Sequence, residues 1–435
     1  MAHVETKKIT KNDQAWEELF AEHNILREVN EKGYYVITAK DIGKYRESRL
    51  MTKFDHKANL PKLFKDNRLT ILPITRGSYI IGRFENYQKL EYRINNIKYK
   101  NFPFSIETLD YNNIYSESAA ISCASLAGMI EELINEEIYL TVFGRMNTDR
   151  FSFKINTDSG NLFKIDVDRA QMEIDAGFES ENYFLILEAK NITADDFLIR
   201  QLYYPYRYWQ NKVQKKVVPV FMTYSNDIFS FFVYEFKEID HYNSLELIEQ
   251  RHYSIELEKI TFADLYEFYR KIKIVPEPNI PFPQADNFYR VLDFLRLLYN
   301  SDHTKDELAL NYEFDIHTER QYDYYINAAR YLGLVDKYRD KESDEDLFRL
   351  TEKGRNIMSQ SRKMRYLMVA ESIMEHEVFY RAMGVYFTKK KLPVKKEVID
   401  IMKDSRLIYD YNDSTIERRA QTVLKWLEWI VSLVE

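Results

Sequence analysis

The chain has 435 residues, a formal net charge of −7 and one cysteine, Cys123. That length implies two to four domains, and a lone cysteine excludes an internal disulfide or a cysteine-built zinc site. No apolar run approaches the roughly 18 residues that cross a membrane. The first residues, MAHVETKKITKNDQAWEELF, have no leader-like apolar core, so a reduced cytoplasmic setting with no membrane partner is expected. The acidic balance argues against a nonspecific nucleic-acid binder, but not against a DNA enzyme whose basic residues line one cleft.

Residues 1–100 read as an α/β domain. Helical spacing over 15–32 leads into a strand at 33–38 and a helix at 39–49. Two short strands within 69–82 break at Arg76-Gly77. Arg49, Lys53 and Arg76 are candidate DNA contacts, with ordinary surface charge as the bland alternative.

Residues 101–285 carry the chemistry. Ser116 caps a helix over 117–135, and Cys123 falls among small residues inside it. Strands are expected at 137–143, 151–155, 163–167, 172–178 and 183–190. A helix at 194–204, ended by Pro205, and strands at 217–223 and 228–236 complete a helix-flanked mixed sheet. Within EIDAGFESENYFLILEAK (173–190) the apolar run YFLIL ends in charge, as a buried strand does, and SEN is turn-like. A hairpin folded about Glu181 sets Asp175 opposite residue 187 or 188. Alternation along the strand points Glu188 and Lys190 the same way. Cross-strand Cβ atoms are about 5 Å apart, so Asp175 and Glu188 can share one cation. Gly177, on the Asp175 face, is expected to leave room for a bulky substrate.

This donor set suits phosphodiester hydrolysis, with Mg²⁺ held by Asp175, Glu188 and the Ala189 carbonyl, and Lys190 holding the attacking water. Glu173 is a candidate ligand for a second metal or a partner that orients Lys190, with a solvated strand carboxylate as the bland alternative. Glu117 is a candidate helix-borne acid, although a first-turn Glu also simply favours the helix dipole. Asp166 and Asp168 do not face Glu188 in this register. Arg200 and Gln201 are candidates to touch the scissile strand. The absence of HExxH, a Cys/His cluster or GxxxxGK[ST] argues against zinc or ATP-driven chemistry.

PEPNIPFPQ, at 276–284, holds four of the ten prolines and marks a boundary. Beyond it, 286–360 follows a winged-helix pattern: helices at 286–300, 304–311 and 318–332, a strand starting at Leu334, a polar loop at 340–346 and a return strand. Arg320, Gln321 and Tyr324 lie on its third helix. Residues 361–435 form a second such unit with helices at 364–375, 394–404 and 414–431, and carry 14 Lys and Arg against 11 Asp and Glu. The polar first turns of the last helix, with Thr415, Arg418, Arg419 and Gln421, suit base reading.

With these residues in place, the chain resembles the type II restriction endonucleases of the PD-(D/E)xK superfamily. The signature residues are Asp175 and Glu188-x-Lys190. Ile174 stands where the family often has proline. The segments RLMTKFD, LPITRGSYIIG, RQLYYPYRYW and PFPQADNF extend the likeness over most of the chain. The resemblance implies an α/β nuclease core at 101–285 between an N-terminal α/β domain and C-terminal winged helices. It also implies Mg²⁺-dependent cutting of double-stranded DNA at a short specific sequence, with a cognate DNA methyltransferase protecting the host. A homodimer is expected because two antiparallel strands need two cuts, although tandem C-terminal units suit a monomer on an asymmetric site. The alternatives are a non-catalytic winged-helix DNA-binding regulator and a nuclease acting on modified or structured DNA.

Overall fold

The apolar run at 184–187 is buried on both faces of a central strand of the larger sheet. The computed structural model describes residues 10–94, 96–103, 106–255, 259–305, 307–308, 319–340, 344–405, 407 and 411–434, excepting the side chains of 319–322. The protein is mixed α/β with several sheets. The described residues form two compact units, one from 10–103 and 116–254, the other from 106–115, 255–308 and 319–434.

The first unit begins with helices α1 (Lys11–His23) and α2 (Ile25–Lys32), strand β1 (Tyr34–Thr38), and short helices α3 (Ala39–Ile42), α4 (Ser48–Thr52) and α5 (Lys62–Asp66). Thr10 and Asp13 cap α1 reciprocally. Trp16 anchors these helices, fully buried against Phe64 and donating to the Met51 carbonyl at 3.0 Å. Strands β2 (Thr70–Thr75), β3 (Ser78–Gly82), β4 (Tyr87–Lys89) and β5 (Ile97–Lys100) follow, then helices α6 (Glu117–Leu126) and α7 (Met129–Ile134). Next come β6 (Tyr139–Asn147), β7 (Arg150–Asn156), β8 (Leu162–Asp168), β9 (Gln171–Glu179), β10 (Tyr183–Lys190), β11 (Asp196–Leu198), α8 (Arg200–Gln210), β12 (Lys216–Ser225), β13 (Ile228–Phe236) and β14 (Leu245–Ile255).

The larger sheet has the order β5-β14-β13-β12-β10-β9-β6. Its centre is the antiparallel hairpin β9–β10, with Leu187 opposite Ala176, joined to β12 by a parallel pairing in which Lys190 faces Thr223. A parallel pair needs a crossover, here supplied by α8, which packs on β9, β10 and β12. Pro205 lies inside α8 instead of ending a helix over 194–204. An interior proline costs about 3 kcal/mol, and burial of Leu202, Tyr203, Tyr204 and Tyr206 offsets it. The expected helix over 117–135 is two helices, because Gly128 adopts a left-handed φ of 67° between them.

The smaller sheet has the order β1-β3-β2-β8-β7, so the first 100 residues are not set apart. Their strands are completed by β8 and β7 from the stretch that carries the chemistry.

The second unit contains α9 (Phe262–Lys271), which the sequence did not suggest, α10 (Phe288–Asn300), and a small sheet ordered β15-β17-β16 from His303–Thr304, Asp346–Leu350 and Val335–Arg339. Helices Glu319–Tyr331, Glu352–Met358, Arg362–Met374, Glu377–Lys389, Lys395–Asp404 and Asp413–Ser432 complete it. Half of the helix expected at 304–311 lies outside the described residues. Among the described residues, no helix is long and apolar enough to cross a membrane.

Gly177 corrects an expectation. Its missing side chain leaves no room for substrate, because a Cβ there would come within 2.9 Å of both Phe184 and Val142. Gly177→Ala should therefore overpack the hairpin and lower unfolding free energy by about 1–3 kcal/mol in urea titrations. An unchanged midpoint would show that Phe184 yields freely.

Candidate active site

β10 ends in charge just where β9 stops pairing with it. The ladder closes at Leu187–Ala176, and one residue on, the Asp175 carboxylate accepts the Ala189 amide at 2.9 Å in place of a backbone carbonyl. Glu188 and Lys190 share a face, so the Lys190 Nζ donates to Glu188 Oε1 at 2.8 Å and to the Ala189 carbonyl at 3.2 Å. Both side chains are buried. α6 packs on β9 and β10, and its first residue, Glu117, brings a carboxylate oxygen to 3.6 Å from Lys190 Nζ. α8 contributes Gln201, whose amide donates to Glu188 Oε1.

Negative charge exceeds positive here. Burial, reinforced by Asp175 and Glu117, pushes the Glu188 carboxyl well above its ordinary range despite Lys190. Burial works against the Lys190 charge, but Glu188, Glu117, Asp55 and Asp175 outweigh it and hold the ammonium protonated. Burial also lifts Glu117, with Asp175 adding to it against the pull of Lys190.

Asp55 was missed by the sequence reading. It lies in the buried run Phe54-Asp55-His56 after α4. The segment is tied down where the Asp55 carbonyl accepts the Leu198 amide at 2.9 Å and the Phe54 carbonyl accepts the Tyr87 hydroxyl at 2.8 Å. Burial opposes its ionisation, yet Lys190, Lys53, Arg200 and His56 together hold it below the usual carboxylate range. The only trace in the sequence is an acid beside an aromatic residue, which gives no hint of its spatial partner.

The other candidates separate clearly. Glu173 is exposed and lies 3.5 Å from Arg145. Asp166 and Asp168 belong to the smaller sheet, with Ser152 and Arg150 as partners. Arg49 and Arg76 are exposed, as is Lys53, which sits 3.4 Å from Asp55. Arg200 Nε and Gln201 Oε1 are buried without a hydrogen-bond partner among the described residues. In the second unit, Arg418 is exposed, while Thr415, Gln421 and Tyr324 are half-buried. Arg419, expected to face DNA, is instead buried, donating to the Phe282 carbonyl and lying 4.1 Å from the Tyr411 ring centroid. The side chains of Arg320 and Gln321 lie outside those described.

Among the described residues, no three His, Cys, Asp or Glu side chains converge as a ready metal cage. The donor set nonetheless fits Mg²⁺, which takes one or two protein carboxylates and fills the rest with water and substrate phosphate. Asp175 and Glu188 are such a pair, and their mutual repulsion favours a cation between them.

Three family models match the chain in succession. Residues 13–81 match a domain of unknown function (DUF6996), 82–254 another (DUF6997), and 290–435 a third (DUF7226). Asp175, Glu188, Lys190 and Glu117 all fall in the middle match, and Asp55 in the first. No curated protein and no solved structure matches the chain.

Because its folded carboxyl value is raised, Glu188 binds a proton more tightly folded than unfolded. Its contribution to stability is full below the unfolded value, about 4.3, and is lost as pH rises towards the folded one. Glu188→Gln has no such proton. In chelator-containing buffer its stability should therefore rise relative to the parent protein from about pH 5 to pH 8. A constant difference in urea midpoints across that range would mean that Glu188 is ionised throughout.

Proposed function

We propose that the chain is a Mg²⁺-dependent endonuclease acting on double-stranded DNA, of the type II restriction class whose signature its sequence resembles. One observation carries this reading: a buried lysine held by a strand glutamate two residues away, with an aspartate from the antiparallel neighbour capping the strand between them. The element order supports it. A helix, the acid-bearing hairpin, the crossover helix α8 and the parallel strand β12 follow the order expected of a PD-(D/E)xK core.

In this reading Asp175 and Glu188 hold Mg²⁺, with the Ala189 carbonyl as a further donor. When bound, the ion makes water a nucleophile near neutral pH and neutralises charge on the phosphate. The Lys190 ammonium, fixed by Glu188 and Glu117, orients the attacking water and meets the charge that grows on the phosphate oxygens. Water oxygen bonds to phosphorus, the bond to the leaving sugar oxygen breaks, and a proton returns to that oxygen. Gln201 keeps Glu188 in place, and the unpartnered Arg200 Nε is a donor available to the backbone being cut.

The second unit would read the target. Its α10, the strand His303–Thr304, the helix Glu319–Tyr331 and the two longer strands follow a winged-helix order. Arg418, on the helix Asp413–Ser432, is free to face DNA, as Arg419 is not. A homodimer that cuts both strands and a cognate DNA methyltransferase belong to the same proposal.

Purified protein incubated with unmethylated and methylated phage DNA plus Mg²⁺ should yield discrete fragments, and chelator should abolish them. Asp175→Asn and Lys190→Ala should each slow cutting about 100-fold or more, with the Mg²⁺-free melting temperature as a control for folding. Absence of cutting on every substrate, or full activity in Lys190→Ala, would sink the proposal.

A further inference from the structure

The second unit carries an aromatic groove that the endonuclease reading does not use. Phe262, Tyr266 and Tyr269 recur at spacings of four and three, which places them on one side of α9. Tyr380 and Phe387, from the helix Glu377–Lys389, face them. Tyr269 stacks on Tyr380 at 4.6 Å with an interplanar angle of 16°, and Phe387 lies 5.1 Å from Tyr266. Aromatic stripes at this spacing ordinarily close into a core. These rings instead line an open groove of about 810 Å³, and Tyr266 is 41% exposed. Gly384 forms part of the floor. A Cβ there would come 2.8 Å from the Tyr269 hydroxyl, so its absence lets that ring lie across the helix.

The charge on the rim is uneven. Arg381 is neutralised by Asp404 at 2.7 Å and Lys389 by Glu397 at 2.6 Å. Lys390 and Lys391 have no carboxylate partner among the described residues. The Lys390 ammonium rests 3.5 Å from the Phe262 ring centroid, at the edge of the groove. An aromatic platform beside one uncompensated ammonium group, with a second lysine next in the chain, suits a ligand that is both flat and anionic. Single-stranded nucleic acid combines these properties, since every base has a stackable face and every linkage a charge.

We propose that this groove binds single-stranded nucleic acid, with a base stacked on the open face of Tyr266 and the adjoining phosphate held by Lys390 and Lys391. Duplex DNA cannot use the platform, because its bases are stacked on one another. A proline-rich peptide would also lie in an aromatic groove, but it would leave both lysines without counter-charge.

The test uses the full chain carrying Lys190→Ala, so that substrate is not consumed whether or not the endonuclease reading holds. A fluorescein-labelled oligothymidylate of about a dozen nucleotides is titrated by anisotropy, beside a duplex of equal length and a proline-rich peptide. The oligothymidylate should bind more tightly than the duplex. Tyr266→Ala should weaken it about tenfold and Tyr266→Trp should restore it. Replacing both Lys390 and Lys391 by Ala should weaken binding and reduce the slope of log affinity against log salt by about one to two. Tyr266 is substantially exposed, so the melting temperature of Tyr266→Ala should stay close to that of the parent. Failure of the oligothymidylate to bind, equal affinity in Tyr266→Ala and its parent, or binding by the peptide alone would overturn the proposal. Absence of DNA cleavage by the Lys190-intact protein would leave it standing.

Discussion

The Lys190 ammonium is acted on by Glu188, Glu117, Asp55 and Asp175, and much of the first unit can be understood as the scaffold that keeps it there. A buried cation of this kind is tolerated only when it is paired and hydrogen-bonded. Glu188 reaches it along the same strand, Glu117 from the start of α6, and the Ala189 carbonyl from the intervening residue. Asp175 adds its charge while capping the backbone between them. One lysine thus couples a hairpin to a helix, and the N-terminal segment bearing Asp55 adds a third source of charge. The four carboxylates outnumber it.

That imbalance connects the fold to the proposed chemistry. In a purely structural cluster the charges would be expected to close on themselves. Here burial, reinforced by repulsion from Asp175 and Glu117, holds the Glu188 proton, and Arg200 and Gln201 each keep an unsatisfied polar atom nearby. A divalent ion and a phosphate would supply the missing charges of both signs.

The sequence made the hairpin legible because its signals were local. Strand β10 spans the residues that its apolar run and terminal charges indicate, and the turn about Glu181 sets the register that brings Asp175 beside Glu188. Signals failed where distant packing decided the outcome. Pro205 looks like a helix terminator, yet four buried side chains carry α8 through it. Arg419 looks like a base-reading residue on a polar turn, yet the Phe282 carbonyl and the Tyr411 ring hold it inside. Glu173 and Asp175 share strand parity, but only the second lies where β9 and β10 part. Asp55 is far from the hairpin in sequence, and no periodicity links the two.

Strand β3 bears on how such a chain can be inherited. It runs from Ser78 to Gly82 and pairs with both β1 and β2, while the border between two family matches falls between residues 81 and 82. An exchange of sequence between relatives at that border would cut the middle strand of three just before its last residue. It would also part Asp55 from the lysine whose charge it balances. The two matched stretches, separable as text, share one sheet and one cluster of charge.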